Sequence, residues 1–242
     1  FAFNPWFLDE NDLFREGFLA NNLRNFYSET EKLDNRVDYQ AANSKVKFLS
    51  SALVDCWEKQ NSTIKKEFDS WCEKQFWLEA HSIFMELKVQ NNNLPWWEWP
   101  EKFAVYDKQK LTSWKKKNEK ALLAHNLIQW HLDRQWKLIR ELAKNLGIYL
   151  FGDVPFYVSK DSADVWSNRS LFSILTNSDT YLQSGVPPDY FSETGQLWGN
   201  PVYRWSRHKA NKFKWWRKRI SRHLEQVDFL RLDHFRALES FW

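Results

Sequence analysis

The chain has 242 residues, 43% of them hydrophobic and 27% charged, with a net charge of +4; enough apolar surface is present to offset chain entropy, which excludes an intrinsically disordered protein. No stretch approaches the roughly 20 uncharged apolar residues that span a bilayer, and Phe1 to Phe7 has neither basic residues nor a long apolar run, so the expectation is a soluble, unsecreted protein. The 16 Trp and 19 Phe against only 6 Gly predict an aromatic core with some rings left for a ligand, because each large ring left in water forfeits about 2 to 3 kcal/mol.

In chain order, residues 1 to about 118 show helical periodicity at Asn11 to Asn25, Asp38 to Glu58 and Ile64 to Val89, with almost no strand signal. Cys56 and Cys72 fall in these helical stretches and read as plain buried thiols. A break at Asn91-Asn92-Asn93-Leu94-Pro95 leads into the aromatic cluster Trp96, Trp97, Trp99 and then a charged run, Lys115 to Lys120. The helical pattern from Ala121 to Leu146 stops at Gly147, the residue type that most easily takes the left-handed conformation ending a helix. It feeds an apolar strand, Ile148 to Phe151.

A long loop follows from Gly152 to Asn200. Nine Lys or Arg then fall between Arg204 and Arg222, which raises nucleic-acid binding as a reading. Phe213, Trp216, Ile220 and Leu224 recur there at helical spacing, and an amphipathic helix with a solvated basic face is the preferred reading. A second apolar strand, Val227 to Leu232, comes next. Apolar strands alternating with helices indicate a parallel sheet covered by helices. Function in such sheets collects at the carboxyl ends of the strands, which here read Gly152-Asp153 and Asp233-His234.

Arg231 and Asp233 lie two apart on a strand and so share a face, where the guanidinium would hold the carboxylate ionised. Such a carboxylate suits the nucleophile of retaining glycoside chemistry, which also needs a second, protonated carboxyl about 5 to 5.5 Å away. A structural ion pair closing the strand end accounts for the same residues equally well. Asp153 could cap the next segment or reach into a site. The stretch Gly185 to Pro201 presents Tyr190, Phe191 and Trp198 on an irregular, proline-stiffened loop, as a polysaccharide groove requires; a loop folding its rings under itself is the plainer alternative.

Three blocks, GIYLFGDVPFYVSKDSADVW, GVPPDYFSETGQLWGNPVYRW and FLRLDHFRALESFW, resemble in order and separation the motifs of the 4-α-glucanotransferases of amylomaltase type. FAFNP, RVDYQ, Trp97-Glu98-Trp99-Pro100 and Asp133-Arg134-Gln135-Trp136 are similar to looser parts of that family. The resemblance implies an α/β chain, a partial (β/α)8 TIM barrel with residues 1–118 as a helical insertion flanking the groove and 119–242 as barrel, including the groove loop 152–200. It implies Asp233 as nucleophile, Arg231 and His234 holding nucleophile and sugar, Asp153 contacting bound glucose, Tyr190, Phe191 and Trp198 on a substrate-binding loop arching over the groove, and Asp189 at the base of that loop.

It further implies transfer of α-1,4-glucan segments between maltooligosaccharide or starch chains by retaining double displacement, without cofactor or metal, in the cytosol or a plastid. The expected partner is an α-1,4-glucan; no nucleic acid and no membrane is expected. The family's acid/base glutamate and a further catalytic aspartate would fall after Trp242, and neither Glu193 nor Glu239 is assigned the acid's role. With Phe rather than Met at position 1, the chain is expected to be an internal piece of a longer protein whose half barrel would not bury its sheet alone. A noncatalytic glucan-binding paralogue is the alternative. Ala237 departs from the family's usual Gly.

Overall fold

The computed structural model describes residues 1–20, 36–190 and 192–239. The chain separates into two compact units, one of residues 2–86 and 115–139, the other of residue 1, 87–114 and 140–242.

The first unit is helical, with α1 (Glu10–Arg15), α2 (Tyr39–Trp57), α3 (Ser62–Lys74) and most of α4 (Leu78–Gln90). The carboxylate of Asp38 accepts from Ala41 N–H to start α2, and the Asn61 side chain accepts from Ile64 N–H to start α3, each satisfying a main-chain donor that the first turn leaves open. The expected helix from Asn11 ends at Arg15, and its residues 21–25 lie outside the described residues. The expected helix Ile64 to Val89 is two helices. Gln75 leaves the helical region at φ −91° and ψ 86°, and its side-chain oxygen accepts from Trp77 Nε1 at 3.2 Å, a local bond that competes with the helix.

Trp130 anchors this core, with Phe18, Trp57 and Phe68 edge-on at centroid distances of 5.7, 6.1 and 5.5 Å. Asp133 is buried where Trp71 Nε1 donates to it at 2.9 Å. Cys56 and Cys72 are unbridged and half-buried, and burial, aided by Asp69, pushes the Cys72 thiol up to about 12, so it stays protonated.

The second unit carries the strands. It begins in the end of α4 and includes the short α5 (Glu101–Ala104), part of α6 (Thr112–Lys117) and the last turn of α7 (Glu119–Asn145). Gly147 ends α7 with φ +70°, its N–H bonded to Lys144 O and the Ile148 N–H to Ala143 O, the paired bonds of a glycine-terminated helix. β1 is Phe151–Val154, three residues later than expected, and β4 is Phe229–Leu232. They pair in parallel, Phe151 with Phe229 and Asp153 with Arg231.

Both strands were expected to be buried, yet Phe151 is 69% exposed and Phe229 is also exposed. Among the described residues each of these strands pairs only with the other, so two strands have little sheet to cover them.

The loop 152–200 holds more structure than expected: α8 (Ala163–Ser167) and an antiparallel hairpin of β2 (Gln183–Val186) and β3 (Gln196–Pro201) with an irregularity between Gln183 and Gly185. The basic segment is also two helices, α9 (Trp205–Ala210) and α10 (Lys214–Leu224), broken where Lys212 and Phe213 take φ of +56° and +55°. Its buried face differs from the expected one. Trp216 is buried as expected, whereas Phe213, Ile220 and Leu224 are exposed and Trp215, Arg219 and Arg222 are buried. The main-chain carbonyls of Pro155 and Phe156 attract the Arg219 guanidinium inward, a pull that hydrophobic periodicity does not register.

No described helix is long and apolar enough to cross a membrane.

Candidate active site

The parallel register brings two chemically rich strand ends together. Asp153 lies opposite Arg231, and Asp233 follows β4 directly, its N–H donating to Val154 O at 2.9 Å. The last carbonyl of β1 therefore fixes the main chain of Asp233. At the other end of the pair, Leu150 N–H donates to Asp228 at 2.8 Å, and Arg140 donates to the same carboxylate at 2.9 Å. That main-chain bond, followed by Arg140, holds the Asp228 carboxyl below its ordinary range.

Arg231 was expected to hold Asp233. It is instead bonded to Asp153 along both edges of its guanidinium, Nε to Oδ1 at 3.1 Å and Nη2 to Oδ2 at 2.5 Å. A planar fork matches a carboxylate directly across the ladder better than one two residues along its own strand. These bonds hold the Asp153 carboxyl below the usual carboxylate range and raise Arg231, to which the nearby Asp233 adds a smaller charge effect. Both members of the pair are open to solvent, so the pair is a surface-exposed arrangement and contributes little to folding.

His234 takes φ +52°, which turns its ring out of the strand direction toward Trp198, 5.0 Å away edge-on. Trp198 lies on β3, 37% exposed, its indole N–H donating to Gln196 at 3.0 Å. Tyr157 approaches both rings, at 6.2 Å from Trp198 and 6.3 Å from His234. An exposed carboxylate, Asp233, thus stands beside an ion pair and a half-open aromatic wall. Such a surface has the chemistry to bind a polar ligand with apolar faces.

The β2–β3 connection carries the remaining residues singled out in the sequence. Asp189 is used by the turn itself: its carboxylate accepts from Ser192 N–H at 2.9 Å while its N–H donates to Ser192 O at 2.9 Å. Tyr190 is 98% exposed on that loop, and Phe191 lies outside the described residues. The structure thus gathers Asp153, Arg231, Asp233, His234 and Trp198, and places Asp189 and Tyr190 on the hairpin loop. Tyr157, Tyr203 and Arg219 were not singled out in the sequence. Tyr157 and Tyr203 fall within the first and second motif blocks, which was their signal, whereas Arg219 lies outside all three blocks.

A family model described as 4-alpha-glucanotransferase matches residues 1–242. The chain belongs to the 4-alpha-glucanotransferase family. A 4-alpha-glucanotransferase of Synechocystis is 38% identical over 245 residues, covering 100% of this chain and 48% of the relative. One from Thermus thermophilus is 34% identical over 244 residues with the same coverages. A chloroplastic/amyloplastic 4-alpha-glucanotransferase of Oryza sativa is 43% identical over 166 residues, 69% of this chain and 28% of the relative.

Among solved structures, amylomaltase from Streptococcus agalactiae in complex with acarbose superposes with a TM-score of 0.91 at 30% identity, covering 100% of this chain and 48% of that one. The chain spans about half the length of the 4-alpha-glucanotransferases it matches end to end.

Proposed function

We propose that this chain is part of a retaining 4-α-glucanotransferase that moves α-1,4-glucan segments between maltooligosaccharide or starch chains. The observation that carries the reading is the β1–β4 register, which sets Asp153, Arg231, Asp233 and His234 at one strand edge beside Trp198 in a chain of this family. The parallel pair is read as two strands of a (β/α)8 barrel, in which active sites form at the carboxyl ends of strands. The helical first half is read as an insertion subdomain of that barrel.

In this reading Asp233 attacks the anomeric carbon of the donor sugar as the glycosidic C–O bond breaks, and a second carboxylic acid of the full-length protein protonates the departing oxygen. The 4-hydroxyl of an acceptor chain then attacks the same carbon, gives its proton to that carboxylate and releases Asp233. Arg231 and Asp153, already paired, present donor and acceptor atoms for sugar hydroxyls. Trp198 and His234 offer the wall against which a sugar ring packs, with Tyr190 and Asp189 on the adjoining loop; Phe191, expected to serve with them, lies outside the described residues.

A plastid setting is in keeping with the chloroplastic/amyloplastic relative of Oryza sativa, and a cytoplasmic one is the alternative. The test is incubation of the full-length protein with maltotriose. Glucose together with oligosaccharides longer than the substrate supports transfer; glucose and maltose alone make the protein a hydrolase; binding without turnover makes it a noncatalytic glucan-binding protein.

A further inference from the structure

Arg219 on α10 is 5% exposed and faces no carboxylate at hydrogen-bonding distance among its bonded partners. Its guanidinium donates to Pro155 O at 2.6 Å, to Phe156 O at 3.0 Å and to the Tyr203 hydroxyl at 3.3 Å. Tyr203 in turn donates to Phe156 O at 2.6 Å. Trp215 and Trp216 cover the guanidinium at 5.3 and 5.2 Å from their ring centroids.

The carboxylate of Asp164 acts on this cation through charge but is not one of its hydrogen-bonded partners among the described residues, and a buried charge held this way is costly enough that an apolar side chain of similar volume commonly serves folding as well or better. What this cation does hold is the backbone of one short segment. Val154 O accepts from Asp233 N–H, and the next two carbonyls are those bound by Arg219, so three successive carbonyls between Asp153 and Tyr157 are fixed.

The same cluster reaches the other wall of the site. Tyr203 follows β3, five residues after Trp198, and its ring stacks on Tyr157 with an interplanar angle of 11° and centroids 6.1 Å apart. Tyr157 meets Trp198 and His234. One guanidinium therefore ties together the exit of β1, the exit of β3 and α10, and with them the carboxylate edge and the aromatic wall.

We propose that Arg219 and Tyr203 form a positioning pair, which acts through the Pro155–Phe156 turn and Tyr157 to set Asp233 and Asp153 against Trp198 and His234. Neither residue touches the reacting atoms. The inference rests on the glucanotransferase reading above. Reacting groups displaced by about 1 Å can lose about 100-fold in rate, so the loss is expected in kcat, with KM little changed.

The test uses the full-length protein and its Y203F, R219K and R219Q variants, assayed on maltotriose. Turnover is normalised to active sites counted by covalent trapping with a fluorinated glycosyl fluoride, and thermal unfolding is measured alongside. The expected result is a kcat per trapped site about 10-fold lower in Y203F and about 100-fold lower in R219Q, with partial recovery in R219K, which keeps a charged donor. Should R219Q fail to fold, Y203F and R219K still decide.

A merely structural role would lower the unfolding temperature and the number of trapped sites while leaving kcat per site at the wild-type value in both, and that result overturns the proposal. A wild-type protein that makes no longer oligosaccharides overturns the glucanotransferase reading itself, which separates the two failures.

Discussion

Gly195 gives the sharpest test of the hairpin that carries Trp198. It takes φ +72°, and a Cβ built there would lie 2.5 Å from Val186 O, 2.9 Å from Pro187 C and 3.0 Å from Pro188 N. All three are main-chain atoms of the facing segment, so no flexible side chain can move aside. Gly199 provides an internal control: φ is +74°, yet the nearest atom to its Cβ would be the Gln183 Oε1 at 3.9 Å.

Both Gly→Ala substitutions incur the left-handed penalty of roughly 1–2 kcal/mol. Gly195→Ala adds an overpacking cost of about 1–3 kcal/mol, giving a total near 2–5 kcal/mol unless the end of the ladder, where Val186 pairs with Gln196, opens to relieve it. Urea unfolding of the full-length protein measures both variants, and amide exchange at Leu197, paired with Gly185, reports ladder opening. Equal destabilisation by the two variants, with unchanged exchange at Leu197, would refute the close approach.

Asp233→Asn is expected to abolish oligosaccharide transfer, with kcat on maltotriose falling on the order of 10³-fold or more and the unfolding midpoint little changed; retention of turnover would remove Asp233 from the nucleophile's role. Trp198→Ala removes a ring worth about 0.5–1.5 kcal/mol in stacking, so KM for maltooligosaccharides is expected to rise about 2- to 13-fold, measured by initial rates; an unchanged KM would take the aromatic wall out of the binding site.

His131 supplies a pH test. Burial, with a smaller effect from Arg134, lowers its pKa to about 3, against about 6.5 in the unfolded chain. Between those values the unfolded chain binds a proton that the folded protein refuses. Stability is therefore full above about pH 6.5 and falls as pH drops toward 3, by up to about 1.4 kcal/mol per pH unit. His131→Gln should flatten the acid limb of a urea stability profile by about one proton, and an unchanged slope would contradict this.

The existence of the two parallel strands was legible in the sequence because a glycine-stopped helix running into apolar residues is a strong signal, but the end of the first was not, since β1 runs on to Val154 and takes Gly152 and Asp153 into the strand. The hairpin was not legible either. Gln183-Ser-Gly-Val and Gln196-Leu-Trp-Gly-Asn-Pro contain Gly and Pro and lack a clean alternation, so they read as loop, while the ladder between them forms from residues far enough apart to be invisible to periodicity.

The partner of Arg231 escaped for a related reason. Sequence spacing places Asp233 on its face, but the cross-strand register, a long-range property, sets Asp153 opposite it. Arg219 sat in a run of nine basic residues that pattern alone assigns to solvent. Its burial follows from carbonyls more than 60 residues away in the chain, which no local pattern encodes.

Covalent trapping tests the central claim most directly. The full-length protein is treated with a fluorinated α-glucosyl fluoride, digested and mapped by mass spectrometry. A glycosyl label on the Asp233 carboxylate is the result the account requires, and a label on another carboxylate, with Asp233 unmodified, would contradict it.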